Sequence, residues 1–167
     1  YGPDQALTQL RRQLDSPGED FPKRVLRRRE RVSKAARVEM LGSVGLFQGL
    51  SKRHTEAIAK VADDVVIEPG SVLIEEGSEG DQFFIVVTGE LSVQRRGATL
   101  ARCCPGECFG EMSLLDGGPR SATVTAETVS VLLSLDRSAF TAVLLDNPSV
   151  SVALLELLSS RIRSLSP

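Results

Sequence analysis

The chain has 167 residues, 41% of them hydrophobic and 25% charged, with a net charge of −2. That balance is ordinary for a soluble globular protein, and the length allows one domain with a real core plus a modest extension. No apolar run approaches the length of a membrane span and no secretory signal pattern is present. The first residue is Tyr1 and not Met, so the chain is expected to be part of a longer protein. Residues 1–14 place Ala6, Leu7, Leu10 and Leu14 at helical spacing, and residues 15–20 read as a loop. Pro22 then opens a second helix of strong helix formers, running to about residue 41. Lys23, Arg24, Arg27, Arg28, Arg29, Arg31, Lys34 and Arg37 crowd this segment against Glu30 alone, which leaves the rest of the chain acidic. Residues 46–51 make a turn, and Ser51 is a good N-cap for a helix to about residue 63.

From Val65 the pattern changes to β. Val65, Val66 and Ile67 precede the turn signal Pro69-Gly70; Val72, Leu73 and Ile74 follow, and then residues 83–87. Glycines 89, 97 and 106 give the short, regular spacing of a β sandwich, roll or barrel. Residues 123–125 and 129–135 supply two more strands. Asp136 caps a helix to about residue 145, and Asn147-Pro148 begins a final helix to about residue 165. Cys103, Cys104 and Cys108 crowd one segment, but the single histidine, His54, lies far away, so the thiols read as small residues of a hairpin and not as metal ligands. Their odd number suits a reducing compartment.

The most informative stretch is Phe109-Gly110-Glu111-Met112-Ser113-Leu114-Leu115-Asp116-Gly117-Gly118-Pro119-Arg120-Ser121-Ala122-Thr123. Gly110 lets the backbone approach a ligand, and Glu111 accepts a hydroxyl hydrogen bond. Residues 112–115 form one helical turn whose free N–H groups favour an anion. Arg120 supplies a planar fork matched to phosphate oxygens. A ligand with a hydroxyl on one side and a phosphate on the other fits this order. The bland alternative is a surface ion pair between Glu111 and Arg120, worth roughly 0–1 kcal/mol.

The stretch resembles the phosphate-binding cassette of cyclic nucleotide-binding domains, as found in cyclic-nucleotide-gated channels, kinase regulatory subunits and catabolite activators. The resemblance extends over residues 44–164 through the P-G, I-x-E-G, G-D-x-F-F-I-V and T-G-E-L segments and the L-F-x-G-L-S entry. It implies an α+β fold: an antiparallel, jelly-roll-like β-roll at about residues 64–135, flanked by N-terminal and C-terminal helices and holding a short phosphate-binding helix. Residues 1–43 would be a helical, Arg-rich linker, residues 44–167 the nucleotide-binding domain, and residues 136–165 its lid helices. By the same resemblance Glu111 would bond the ribose 2′-hydroxyl and Arg120 the phosphate. Phe109 and Gly110 open the cassette, and N–H groups of Met112, Ser113, Ser121 and Ala122 would complete the cradle. Arg161 on the last helix would touch the purine.

The Ser121-Ala122 pair resembles bacterial cAMP binders, so cAMP is the expected ligand, with cGMP the alternative. No cofactor, metal or catalytic machinery is implied, since one histidine and no carboxylate cluster provide neither metal ligands nor an acid–base pair. The same shortage of histidines argues against a cupin-like enzyme. The expected role is a cytoplasmic regulatory domain whose C-terminal helices move on ligand binding and control a fused output module. The basic segment resembles the linker from a membrane pore to its sensor, so a membrane channel, with the segment near anionic lipid, is the expected parent. A catabolite-activator-type transcription regulator or a cytoplasmic enzyme is the alternative. No recognition helix can be placed in this chain, so nucleic acid is not an expected partner; a homo-oligomer is left open.

Overall fold

A computed structural model describes residues 25–28 and 33–165. The helix expected at 1–14, the loop at 15–20 and much of the basic segment lie outside these residues. Among the described residues nine strands form two antiparallel sheets. The first sheet joins β1 (Val25–Arg28), β2 (Asp63–Ile67), β9 (Ser130–Asp136), β4 (Gln82–Thr88) and β7 (Cys108–Phe109), in that order. The second joins β3 (Val72–Ile74), β8 (Thr123–Ala126), β5 (Leu91–Arg95) and β6 (Ala98–Cys103). The helices are α1 (Lys34–Ser43), a 3-10 turn (Gly45–Phe47), α2 (Lys52–Val61), α3 (Glu111–Asp116), α4 (Arg137–Asp146) and α5 (Pro148–Leu165). The architecture is the α+β roll with flanking helices that the resemblance implies.

The centre of the first sheet is apolar on both faces, which explains the unbroken hydrophobic runs of β4 and β9. Phe84, Val86 and Leu132 face the second sheet and meet Leu91 and Val124 in one core. Phe83, Ile85, Leu133 and Leu135 point the other way, into a second core shared with Leu41, Phe47, Ile58, Phe140 and Leu154 of the helices. The side-chain period of two thus sends alternate residues of one strand into two different cores. Phe83 lies against Phe140, ring centroids 4.7 Å apart, and fixes α4 on the sheet.

Local signals mark the element ends. The Ser51 hydroxyl accepts from the His54 N–H, and the Asp136 carboxylate accepts from the Ala139 N–H at 2.8 Å, as their cap positions predict. Arg96 and Gly97, with φ of 50° and 79°, form the two-residue turn between β5 and β6. Helices α4 and α5 meet at 109°, where Asn147 ends the first and Pro148 starts the second. Among the described residues no single helix is long and apolar enough to cross a membrane.

One expectation needs correction. Residues 25–28 form strand β1, not part of a helix from 22 to 41; only Lys34–Ser43 is helical there. Val25 pairs with Ile67 and Arg28 with Asp64. The backbone edge that β2 would otherwise leave open outweighs the helix propensity of Leu and Arg. One residue of the basic segment reaches the interior. Arg37 is buried, its Nη2 lies 2.7 Å from Asp64 Oδ1, and its Nη1 donates to the carbonyls of Ala59 and Ala62. That one guanidinium ties α1 to the end of α2 and to β2.

Candidate functional site

The site lies where β7 runs into α3. Gly110, with φ 94°, turns the chain between them, and a Cβ there would stand 2.9 Å from the Gln82 carbonyl oxygen and 3.1 Å from Arg120 Nη1. Only glycine tolerates both that conformation and that approach. Helix α3 follows with no side-chain cap, so its first N–H groups lack capping partners. Phe109 stacks on Phe84, centroids 5.4 Å apart, and anchors the entry to this turn.

Arg120 is 7% exposed and is held from three sides. Its Nη1 donates to the Gly110 carbonyl at 3.0 Å and to Ser113 Oγ at 2.8 Å, and its Nη2 donates to the Gln82 carbonyl at 2.8 Å. Its backbone is fixed as well: the Arg120 N–H donates to the Ser78 carbonyl and the Gly77 N–H to the Arg120 carbonyl, both at 2.8 Å. These bonds use three of the five N–H donors of a guanidinium, leaving two for a further acceptor. Burial pushes the Arg120 guanidinium below its usual value; Asp81 and Glu111 pull it back up, and Arg137 adds to the lowering. A pre-set cation with spare donors suits an anionic oxygen.

Glu111, the first residue of α3, is 2% exposed. Its Oε1 accepts from Arg161 Nη1, while its Oε2 is buried with no hydrogen-bond partner among the described residues. An unpartnered buried carboxylate oxygen is costly, and a hydroxyl donor relieves it. Arg161 also donates through Nη2 to the Cys108 carbonyl at 2.6 Å, so α5 is tied to the turn that carries Glu111.

All nine residues singled out from the sequence, Phe109, Gly110, Glu111, Met112, Ser113, Arg120, Ser121, Ala122 and Arg161, line one cavity of about 460 Å³. That size is within the range of small-ligand sites, roughly 300–1,000 Å³. The second sheet contributes Ile74, Val93, Leu100 and Val124 to its lining, and α5 contributes Leu157. The cavity is therefore lined by a buried cation and a buried carboxylate together with apolar side chains, and Arg95, Arg102 and Glu107 also reach it. Ser121 accepts from Arg95 Nε through its carbonyl at 3.1 Å, and its hydroxyl faces Met112 Sδ at 3.7 Å. Arg95, Leu157 and Ser164 were not singled out from sequence. The helical spacing of Leu157, Arg161 and Ser164 was the available signal for the last two.

Cys103 is also on the cavity wall. Burial pushes its thiol up to about 11 and that of Cys108 up to about 12, so both are uncharged and unreactive at neutral pH. Cys104 is exposed. Among the described residues no cluster of three or more histidine, cysteine or carboxylate side chains is placed to hold a metal ion.

A β-roll with a short helix at its seam, a caged arginine and a buried carboxylate defines a nucleotide-sensing type of domain. The profile of the cyclic nucleotide-binding domain matches residues 64–147, and the chain belongs to that family. It is 32% identical over 130 residues to a CRP-like cAMP-activated global transcriptional regulator of Mycobacterium tuberculosis, covering 75% of this chain and 58% of that protein. It is 36% identical over 101 residues to a cAMP-dependent protein kinase regulatory subunit of Yarrowia lipolytica, covering 60% of this chain and 27% of that protein. The catabolite activator protein of Thermus thermophilus superposes with a TM-score of 0.66 at 34% identity, covering 71% of this chain and 58% of that one. The chain thus spans less than two thirds of the length of each, and these relatives are named as regulators, regulatory subunits or activators.

Proposed function

We propose that the domain binds a purine 3′,5′-cyclic nucleotide, cAMP in preference to cGMP, and passes the binding event to an attached output module through α4 and α5. In this reading two spare donors of Arg120 take the phosphate oxygens, Glu111 Oε2 takes the ribose 2′-hydroxyl, and the apolar wall takes the purine. N–H groups of Met112, Ser113, Ser121 and Ala122 complete the phosphate cradle. The observation that carries the reading is the placement of Arg120 and Glu111, both nearly buried, on the lining of one cavity, each with hydrogen-bonding capacity unused among the described residues. The preference for cAMP is supported by the Ser121-Ala122 pair and by relatives named for cAMP. Those relatives also favour a transcription regulator or another cytoplasmic regulator as parent over the membrane channel expected at first.

Calorimetric titration with cAMP and with cGMP, on the wild type and on Arg120→Ala, tests the reading. Binding of cAMP at micromolar or lower concentration, weakened about 10- to 150-fold in Arg120→Ala, is expected from the loss of one charge-assisted contact. A folded wild type that binds neither nucleotide, or an Arg120→Ala variant that binds as the wild type does, refutes it.

A further inference from the structure

Arg95, Arg102, Arg120 and Arg161 all line the cavity. Arg102 is paired with Glu90 at 2.6 Å and Arg161 with Glu111, whereas Arg95 and Arg120 form no ion pair among the described residues. These two differ in depth: Arg120 is buried, and Arg95, the last residue of β5, is exposed. They also meet consecutive residues of the chain. Arg95 Nε donates to the carbonyl of Ser121 at 3.1 Å, and its two Nη groups have no hydrogen-bond partner among the described residues. The strand end that carries Arg95 is itself held. Arg95 pairs with Ala98, the Arg96 N–H donates to Glu76 Oε2 at 2.9 Å, and the Glu76 N–H donates to Thr123 Oγ1 at 3.0 Å. Of the acidic groups around it, Glu76 is engaged by that N–H and Glu107 lines the same cavity, and neither is ion-paired with Arg95.

We propose that Arg95 is the capture residue of the site: it draws the phosphate of the incoming nucleotide to the rim of the cavity and passes it to Arg120, which holds it. The inference rests on the assignment of the phosphate to Arg120 made above. An exposed charge adds little to the strength of a bound pair, but it attracts an anion across roughly a Debye length of solvent. The two arginines therefore have separable kinetic signatures. A rim charge sets the association rate and its salt dependence, and a buried charge sets the dissociation rate. Arg120 without Arg95 is a site that binds firmly and fills slowly.

The test is stopped-flow association and dissociation of cAMP carrying a fluorophore on purine C8. It compares the wild type with Arg95→Lys, Arg95→Gln, Arg95→Glu, Arg120→Ala and Arg53→Gln, each checked for fold by circular dichroism. Arg53 is an exposed arginine of α2 outside the cavity lining and controls for net charge. At ~20 mM salt Arg95→Gln should lower kon about two- to threefold and Arg95→Glu about five- to tenfold, the size of one and two unit charges acting over roughly 6–8 Å of water. Both should keep koff within about twofold of wild type, and Arg95→Lys should keep kon within about twofold. Arg120→Ala should instead raise koff, and Arg53→Gln should change neither rate. At ~500 mM salt the spread in kon among the Arg95 variants should close to less than about twofold. Equal slowing in Arg95→Gln and Arg95→Glu that persists at high salt is the mark of a merely structural tether and overturns the inference. So does a wild-type kon in both, a change in koff in place of kon, or the same loss in Arg53→Gln; nucleotide binding itself then stands. If Arg95→Glu fails to fold, Arg95→Gln and Arg95→Lys decide, and equal loss in the two overturns the inference. Absence of binding by the wild type overturns the nucleotide reading and this inference with it.

Discussion

Gly80 lies 40 positions before Arg120 and outside the cassette, yet the structure makes it a test of the phosphate-binding role proposed for that arginine. A Cβ at Gly80 would stand 2.2 Å from Arg120 Nε, 2.6 Å from Nη2 and 2.7 Å from Cζ. The clash is with the far end of a side chain, so Gly80→Ala folds by displacing the guanidinium. Displacement takes the guanidinium from the Gly110 and Gln82 carbonyls and from Ser113 Oγ. Leaving buried acceptors unmet costs about 1–3 kcal/mol of stability, a fall in Tm of roughly 2–10 °C. The larger effect is on affinity. A charge-assisted contact to phosphate is worth about 1.5–3 kcal/mol, so cyclic nucleotide binding should weaken about 10- to 150-fold. Titration calorimetry measures it, and a cycle with Arg120→Ala isolates the cause: Gly80→Ala should have almost no further effect once Arg120 is gone. A folded Gly80→Ala variant with wild-type affinity would refute the claim that Arg120 must lie against that backbone to work.

Three other outcomes follow from the same geometry. Asp64→Ala removes the carboxylate paired with the buried Arg37 guanidinium and should cost about 3–5 kcal/mol in urea unfolding; a loss below about 1 kcal/mol would show the pair to be dispensable. Iodoacetamide at neutral pH should modify the folded chain at Cys104 only, and mass spectrometry showing adducts at Cys103 or Cys108 before unfolding would contradict their burial. Those two thiols also set an alkaline limit: their folded values, about 11 and 12, lie above the unfolded value of 9.0, so the unfolded chain loses its protons first as pH rises. Their contribution is complete below pH 9.0 and fades through about 11 to 12; a Cys103→Ser/Cys108→Ala variant should show a flatter decline in Tm there, and an unchanged slope would refute the assignment.

The fold was legible wherever one residue pattern dominates its own neighbourhood. The run Val72-Leu73-Ile74 became β3 without adjustment, and Ser51 and Asp136 cap the helices their positions announce. The cassette was legible because its groups are local: Gly110, Glu111 and Arg120 lie within eleven residues and meet on one cavity. Strand β1 was not, because the pairing that makes Val25–Arg28 extended is contributed by residues nearly forty positions away. The same distance in sequence hid the cage around Arg120, which draws on Gly80 and Gln82, and the bond from Arg161 to Glu111. The sequence put Arg161 at the site and aimed it at a purine; its bond to the Glu111 carboxylate joins residues fifty positions apart and could be seen only in the fold.

The register of the first sheet lines up one residue from each of its five strands: Arg28, Asp64, Leu133, Ile85 and Cys108. Four inter-strand steps of about 4.8 Å make this a transverse strut some ~19 Å long. One end lies in the N-terminal strand; the other is Cys108, whose carbonyl receives Arg161. A sideways pull on β1 would therefore arrive at the anchor of α5 through backbone hydrogen bonds alone, bypassing both α4 and the cavity. In mechanical terms, the domain has a stiff crossbar from its N-terminal edge to the anchor of the last helix on the cavity wall.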